Sequence, residues 1–314
     1  MAVLINDFGD CQKNVKGTGT TNCDFETVGD YLGQGLLDQG ITFPIVANGS
    51  ITIAEAVIDG LIQDRKLHQL IDRMAFTQDT PENEVFTDGT GLESSVRTGK
   101  TKFTTMYARG LENAKAMHSL KGQNRWDTIL YFTEGLVMCT NVAGTAAKGL
   151  AVGRFDVSSL RFLTGTDKQQ VSTIMQLTKP DELNERALFI PWDKLGVDLS
   201  LKDGVIDCNV VVVDKPSNLD TTMSVKLTSA SNSGNIMLGF DDVLNWATGG
   251  VQATPKLAPS AVAYNSSTGL YNFTFATPFV TGDTFQPRLR DTSKDVAVDS
   301  RGKFYSGRAV LGTV

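Results

Sequence analysis

The chain has 314 residues, of which 41% are hydrophobic and 20% are charged, and its formal net charge is −6. This length accommodates one large domain or two ordinary ones, each with its own core. The acidic balance argues against a general nucleic-acid-binding surface, which needs a basic excess. No apolar run approaches the roughly 20 residues of a membrane-spanning helix, so we expect no contact with a membrane.

The first 50 residues are rich in glycine, aspartate, asparagine and threonine. Short apolar clusters at 3–5 and 43–46 predict small strands within an otherwise extended N-terminal arm. Such an arm has little core of its own, so we expect a neighbouring structure to order it.

Two stretches have the periodicity of helices. Thr52 and Glu55 form a capping-box pattern, and apolar residues then recur at near-helical spacing as far as position 74. This pattern predicts one long helix over 52–74, and a second, shorter helix is predicted over 111–120. The apolar face of the second helix consists of Leu111, Ala114, Met117 and Leu120.

Most of the chain between 100 and 213 has the apolar alternation and the flanking turn residues of β-strands. We predict strands at 100–108, 127–132, 135–140, 148–157, 170–178 and 205–213. A short helical turn is expected from Lys179 onward. Many strands with one packed helix predict a mainly β, α+β domain over residues 1–214.

A second domain is predicted over residues 215–314. The sequence KPSNLDT at 215–221 follows a run of valines and marks the boundary, and short alternating runs follow it. Their spacing favours a small β-sandwich of immunoglobulin type, although the cysteine pair of antibody domains is absent. Within it, Tyr271, Phe273 and Phe275 fall on one face of a strand, and Trp246 is a predicted core residue.

The sequence RTGKT at 97–101 has the ending of a phosphate-binding P-loop. A complete P-loop has glycine at position 94 and a helix after the Lys-Thr pair, but position 94 is Ser and the residues that follow alternate like a strand. We therefore predict a β-hairpin instead, with Val96 and Arg97 entering the turn and Thr98 and Gly99 forming it.

No other pattern predicts an enzyme, a metal site or a cofactor site. The four cysteines include no close pair, and the two histidines, His68 and His118, both fall in predicted helices. The carboxylate clusters at 82–84, 181–182 and 241–242 have no histidine partner or ligand spacing, so we expect them to be solvated. We predict a protein that is not an enzyme.

Basic residues form two modest clusters. Lys100, Lys102 and Arg109 make one, and Lys115, Lys121 and Arg125 the other. They are equally consistent with solvent-facing elements and with a surface that forms salt bridges to another subunit.

A resemblance to a known family rests on the stretch from about 84 to 213. The pattern of hairpin, short helix and successive strands resembles structural proteins of tailed bacteriophages, particularly those infecting Bacteroidetes hosts, and more loosely their tail-tube proteins. The C-terminal part resembles immunoglobulin-like domains appended to virion proteins. The segments that carry the resemblance are VRTGKTKFTTMYARGLENAKAMHSL, WDTILYFTEG, AKGLAVGRFDVSSLRFLTGTD, STIMQLTKPDELNERALFI and DGVIDCNVVVV.

The resemblance implies a β-sandwich or β-barrel subunit with a flanking helix. Such subunits form sixfold rings that stack into a DNA-conducting tube, and a long hairpin and an N-terminal arm carry the contacts between rings. The hypothesis for the subunit interface is then a set of hairpin residues: Arg97, Thr98, Gly99, Lys100, Lys102 and Phe103.

The expected partners follow from the same resemblance. They are further copies of the chain, other phage tail or connector proteins, and genomic DNA that passes through the lumen without specific binding. The expected location is the virion, assembled in the host cytoplasm. Two alternatives stay open: another phage structural role (capsid, head-decorating protein or connector ring), and a carbohydrate-binding adhesive module. The second depends on four aromatic residues, Tyr264, Tyr271, Phe273 and Phe285.

Overall fold

The chain divides into two compact units, Met1–Lys202 and Asp203–Val314, which we describe separately. Strands dominate both units, so the prediction of a mainly β protein is confirmed. The computed structural model describes residues 3–4, 29–45, 50–51, 53–80, 84–87, 90, 93–97, 99–108, 111–162, 169–195, 198–202, 204–230, 235–248, 259–290, 295–299 and 303–314.

The described part of the N-terminal unit combines many strands with four short helices. Its strands are β1 (Val3–Leu4), β2 (Tyr31–Asp38), β3 (Thr42–Pro44), β4 (Ser50–Ile51), β5 (Leu67–Ile71), β6 (Arg73–Asp79), β7 (Glu84–Thr87), β8 (Glu93–Arg97), β9 (Lys102–Tyr107), β10 (Gly122–Gln123), β11 (Trp126–Phe132), β12 (Gly135–Thr140), β13 (Ala146–Lys148), β14 (Leu150–Val157), β15 (Val171–Leu177) and β16 (Ala187–Pro191). Its described helices are α1 (Glu55–Gln63), α2 (Leu111–Ser119), α3 (Pro180–Asn184) and α4 (Trp192–Leu195), followed by a 3-10 turn at Leu199–Leu201. The predicted strands between 100 and 178 and the helix over 111–120 are therefore confirmed.

Six segments of this unit form a closed circuit of hydrogen-bonded strands. Strand β2 pairs with β5 and β11, β11 pairs with β14, and the order continues through β15 and β9 to β6. The chain passes directly from β5 into β6 through Asp72, whose φ is 65°. The continuous segment β5–β6 thus joins the first and the last strand of this hydrogen-bonded order, as in a β-barrel. A closed wall of this kind leaves few unpaired edges.

The interior of this circuit is one hydrophobic core. It includes Leu36, Phe103, Tyr107, Trp126 and Phe155, all at most 2% exposed. Helix α2 packs against the same core through Ala114, Met117 and Leu120, whereas Leu111 of its predicted apolar face is 49% exposed. A smaller group of strands continues from β11, in which β12 pairs with β16 on one edge and with β13 on the other, and β13 pairs with β3.

The predicted long helix over 52–74 is wrong beyond its first part. Helix α1 spans only Glu55–Gln63, its N-cap is Ala54 without a side-chain cap, and Arg65 takes a left-handed conformation with φ 58°. The apolar residues that continued the helical pattern, Leu67 and Leu70, belong instead to strand β5. Pairing of β5 with β2 satisfies its backbone groups and buries both leucines, so the tertiary contact overrides the local period. His68 therefore lies in a strand.

The predicted N-terminal arm contains a central strand. Strand β2 is hydrogen-bonded on both edges, and Leu36 and Leu37 are fully buried. A side chain at Gly33 would approach the carbonyl oxygen of Leu70 to 2.3 Å, so glycine permits the close approach of β5. Residues 31–38 therefore have a core of their own. Most of the remaining arm, 5–28, lies outside the described residues.

The C-terminal unit is built almost entirely from short strands. They are β17 (Ile206–Asp214), β18 (Thr222–Ser229), β19 (Trp246–Ala247), β20 (Ala261–Asn265), β21 (Leu270–Thr274), β22 (Thr284–Phe285), β23 (Arg288–Leu289), β24 (Ala297–Val298), β25 (Phe304–Ser306) and β26 (Gly312–Thr313), with a 3-10 turn at Val243–Asn245. The main sheet has the order β20-β21-β18-β17-β25-β24, and β17 and β25 run parallel. The pairs β19–β23 and β22–β26 lie outside this sheet.

The core of the C-terminal unit follows the predicted pattern. Tyr271, Phe273 and Phe275 are at most 3% exposed, and Trp246 is buried against Phe273 with ring centroids 4.9 Å apart. The division between units lies at 202/203 rather than at the predicted 214/215, because β17 pairs with β18 along its length. The immunoglobulin-type topology stays a prediction.

Candidate assembly surface

The two ladders on residues 73–107 form one long β-hairpin. Strands β6 and β9 pair from Arg73 opposite Tyr107 to Asp79 opposite Lys102, and β7 and β8 then pair from Glu84 opposite Arg97 to Thr87 opposite Glu93. Residues 80–83 and 98–101 separate the two ladders along the chain, and the register of the second ladder shifts by one residue between Glu84 and Val85.

Hydrogen bonds fix the base of this hairpin to the unit. The hydroxyls of Thr80 and Thr101 lie 3.3 Å apart across the hairpin, and the backbone nitrogen of Leu177 donates to the carbonyl of Thr101 at 2.9 Å. Thr101 is 2% exposed. The distal ladder β7–β8 is a separate two-stranded sheet, and among the described residues it pairs with no further strand.

The predicted hairpin turn at Thr98 and Gly99 is wrong. Strand β9 pairs with β6 and β15 and not with its neighbour β8, which pairs with β7 instead. The periodicity of strands over 93–107 is correct, but periodicity carries no information about which strand is the partner. The P-loop is also excluded here, because a strand begins at Lys102 where a helix is required.

The six residues proposed for the interface have different environments. Arg97 ends β8 opposite Glu84, Gly99 and Lys100 lie between β8 and β9, and Thr98 lies outside the described residues. Lys100 is exposed and Lys102 is half-buried. Phe103 is 2% exposed and stacks near Phe76 with centroids 5.7 Å apart, so it belongs to the core and cannot contact another subunit.

Strand β6 presents an edge that the sequence analysis missed. It is the last strand of the hydrogen-bonded order, and Met74, Ala75, Thr77, Gln78 and Asp79 are all exposed. An edge strand of this kind is a template for pairing with another chain. The strand has the sequence RMAFTQD, and the helical pattern over 52–74 includes its first two residues.

The basic clusters have separate environments. Asp156 forms ion pairs with Lys121 at 3.2 Å and with Arg154 at 2.6 Å. The hydrogen bond from Arg154, which has the larger effect, and the one from Lys121 lower the pKa of Asp156 to about 2. The Arg125 guanidinium lies 4.1 Å from the centre of the Trp126 ring. Arg109 lies outside the described residues, so only Lys100 and Lys102 of the first cluster are placed.

One predicted solvated carboxylate is buried. Glu182 is 1% exposed and accepts hydrogen bonds from Lys148 Nζ and from the backbone nitrogen of Ala151, both at 2.6 Å. These bonds attach helix α3 to strands β13 and β14. Cys139 nearby is fully buried, which raises the pKa of its thiol to about 12. Without solvent access and without a thiolate, this cluster is suited to holding the fold together and not to nucleophilic catalysis.

The aromatic residues of the C-terminal unit do not form a binding platform. Tyr271, Phe273 and Phe285 are at most 1% exposed, and Tyr264 packs beside Tyr271 with centroids 5.1 Å apart. Stacking on a sugar requires an accessible ring face, and three of the four residues that favoured an adhesive module are core residues, whereas Tyr264 is half-buried.

Neither a metal site nor a membrane-spanning helix is found in the described part of the chain. The described part of the chain holds no cluster of three or more His, Cys, Asp or Glu side chains that could bind a metal ion. No helix among the described residues has the length and apolar character needed to cross a membrane. No family model and no curated protein matches the sequence.

Proposed function

We propose that this chain is a structural virion protein of a tailed bacteriophage, in the role of tail-tube subunit. In this role, copies self-assemble into hexameric rings that stack into a channel for DNA. The observation that carries the proposal is the strand pair β6–β9 followed by the pair β7–β8, which pairs with no further strand among the described residues.

The hairpin supports assembly for an energetic reason. An isolated two-stranded ribbon is marginally stable in water, so a distal ladder such as β7–β8 gains most from a neighbouring surface. The exposed edge of β6 offers backbone groups to the same neighbour. A contact between an edge strand on one copy and a different surface on the next is heterologous, and heterologous contacts generate rings or filaments.

The charge of the chain is compatible with a DNA channel. At a net charge of −6, the protein repels a polyanion overall, which favours passage over binding. The other phage roles, capsid, head-decorating protein and connector ring, need the same self-association and differ in the geometry of the assembly. The adhesive module is disfavoured, since Tyr271, Phe273 and Phe285 are buried and Tyr264 alone is half-buried.

Electron microscopy and sedimentation velocity of the purified full-length chain test the proposal. We expect rings or tubes of uniform bore, whereas shells would indicate a capsid role and single rings without tubes a connector. A wild-type chain that stays monomeric at all concentrations would refute self-assembly.

A hairpin-shortened variant tests the surface itself. Replacing residues 81–100 by Asn-Gly joins Thr80 to Thr101, whose hydroxyls are 3.3 Å apart, through a two-residue turn suited to antiparallel strands. The base of the hairpin and the core residue Phe103 are retained. We expect a folded monomer by circular dichroism and sedimentation. The control is the exposed pair Lys215→Glu and Lys226→Glu in the C-terminal unit, which we expect to assemble like the wild type.

A further inference from the structure

Strand β20 lies at one end of the strand order in the main sheet of the C-terminal unit. Among the described residues it pairs only with β21, from Ala261 opposite Thr274 to Asn265 opposite Leu270 and without a shift in register. In an antiparallel pair, alternate residues direct their backbone groups away from the partner strand. The outer edge of β20 therefore offers a regular row of backbone donors and acceptors.

This edge lacks the features that usually prevent edge-to-edge pairing, which are charged residues, proline and bulges. The strand has the sequence AVAYN, and the nearest proline, Pro259, lies before it. The chain has no charged residue from 257 to 282. The inner strands β17 and β18, in contrast, include Asp207, Asp214 and Lys226. Charge is thus placed in the interior of the sheet and is absent from its edge.

The hydrophobic core of the C-terminal unit is incompletely covered along β20. Val262 and Tyr264 lie opposite Phe273 and Tyr271, which are fully buried. Val262 and Tyr264 pack against the same core but are themselves only half-buried. A further strand beside β20 would remove more of their apolar surface from water, which is favourable.

A second copy of β20 is complementary to this edge. In an antiparallel register centred on Ala263, the two Ala263 residues lie opposite each other, and Val262 of each copy lies opposite Tyr264 of the other. Core-facing side chains then lie beside core-facing ones, and the exposed Ala263 beside its equivalent, as a continuous sheet requires. Because the strand is uncharged, this pairing brings no like charges together.

We propose that β20 pairs with β20 of a second copy and joins two C-terminal units into one continuous sheet. The contact is isologous, because the same residues contribute from both copies. Five residues per copy form a small interface of the class that gives weak and reversible complexes, so the dimer forms at high protein concentration and the dilute chain stays monomeric. The inference concerns a different unit and a different surface from those of the proposed tube, and it does not depend on that function.

Disulfide crosslinking of the full-length chain tests the register. In the proposed dimer the Cα atoms of the two Ala263 residues lie about 4.5–5.5 Å apart, within the span of a disulfide. Asn272 is exposed on the same face, one strand further in, so its two copies lie about 14 Å apart and cannot be bridged. We expect Ala263→Cys to form linked dimers at least about tenfold faster than Asn272→Cys. Both variants also carry Cys11→Ser and Cys23→Ser, which removes these two thiols from the reaction.

Charge exchange tests whether the strand pairs with itself. Ala263→Lys alone and Ala263→Glu alone place like charges opposite each other, and each is expected to weaken dimerisation in sedimentation equilibrium at least about tenfold. An equimolar mixture of the two variants is expected to dimerise again, because opposite charges then meet. Asn272→Lys is the matched control, since it adds the same charge one strand away, and we expect it to dimerise like the wild type.

The hairpin-shortened variant separates this inference from the proposed function. Crosslinking of Ala263→Cys in the shortened chain supports the β20 contact whether or not the wild type forms tubes. If the wild type forms tubes but Ala263→Cys crosslinks no faster than Asn272→Cys, the β20 contact is wrong and the tube proposal stands. A mixture of the Lys and Glu variants that fails to dimerise would overturn pairing of the strand with itself. Should Ala263→Lys unfold by circular dichroism, the crosslinking rates of the cysteine variants decide the question.

Discussion

Replacing Gly35 by alanine is expected to destabilise the N-terminal unit, because strand β2 has no room for a methyl group there. A Cβ atom at Gly35 would lie 2.1 Å from the Tyr131 hydroxyl oxygen and 3.0 Å from its ring carbon Cζ. Tyr131 is fully buried, so its ring cannot move into solvent. Overpacking of this kind costs about 1–3 kcal/mol, and the lower chain entropy of alanine returns less than about 1 kcal/mol. The net loss is therefore about 1–2 kcal/mol.

Tyr131→Phe provides the matched partner for this substitution. The buried Tyr131 hydroxyl makes no hydrogen bond to any described residue, so its removal is expected to be neutral or stabilising by up to about 1 kcal/mol. It also removes the 2.1 Å contact, and the closest remaining atom is then 3.0 Å from the new Cβ. We therefore expect Gly35→Ala to cost roughly 1 kcal/mol less in the Tyr131→Phe background.

Hydrogen exchange of the full-length chain measures this coupling. Peptides from β2 and β11 report the free energy of opening of the N-terminal unit, and peptides from β18 and β21 are the internal control because they belong to the other unit. If Gly35→Ala has the same effect in both backgrounds, the clash with Tyr131 is not the cause of the loss and the packing argument fails.

Three further predictions concern the ionisable groups and the thiols. Lys148→Met leaves the buried Glu182 without its closest cation and is expected to lower the free energy of unfolding in urea by about 3–5 kcal/mol. Lys202 pairs with the exposed Glu55, so Lys202→Met is expected to cost under about 1 kcal/mol. Equal losses in the two variants would contradict the burial argument. Burial raises the pKa of Asp127 above its ordinary value of 3.8, so the native state holds its proton more tightly and this group lowers stability as the pH rises above that value. Asp127→Asn is therefore expected to be more stabilising at pH 7 than at pH 3.5, and a difference that does not change with pH would count against this sign. Burial also raises the pKa of Cys139 and of Cys208 to about 12. Iodoacetamide at pH 8 is therefore expected to leave both thiols unmodified until the chain unfolds, as measured by peptide mass spectrometry. Rapid labelling of either thiol in the native protein would show that it is accessible.

The sequence alone located the longer strands between 100 and 178 and many core side chains. The alternation of Phe103, Thr105 and Tyr107 predicted strand β9 and its buried face, and all three are at most 2% exposed. The same holds for Tyr271 and Phe273 in β21. Alternation of apolar and polar residues predicts these strands correctly because each strand buries one face, and the residues of one face recur at every second position.

The tertiary structure decided what the local period could not. Leu67 and Leu70 have the i, i+3 spacing of a helix, but the pairing of β5 with β2 places both in a strand. Strand β9 pairs with β6 and not with the adjacent β8, so the predicted turn at Thr98 and Gly99 does not join two paired strands. The choice of partner strand depends on backbone hydrogen bonds between segments that are distant along the chain, and no single residue type determines those hydrogen bonds.

The candidate assembly surface depends on this second kind of information. The sequence analysis noted Lys121 and Arg125 as a basic cluster, but only the fold brings Lys66 and Arg154 beside them. It also named Phe103 as an interface residue, although the fold places it in the core. The sequence determined which residues carry charge and indicated the longer strands between 100 and 178. The pairing of the strands decided which residues lie side by side, because a surface is formed by neighbours in space and not by neighbours along the chain.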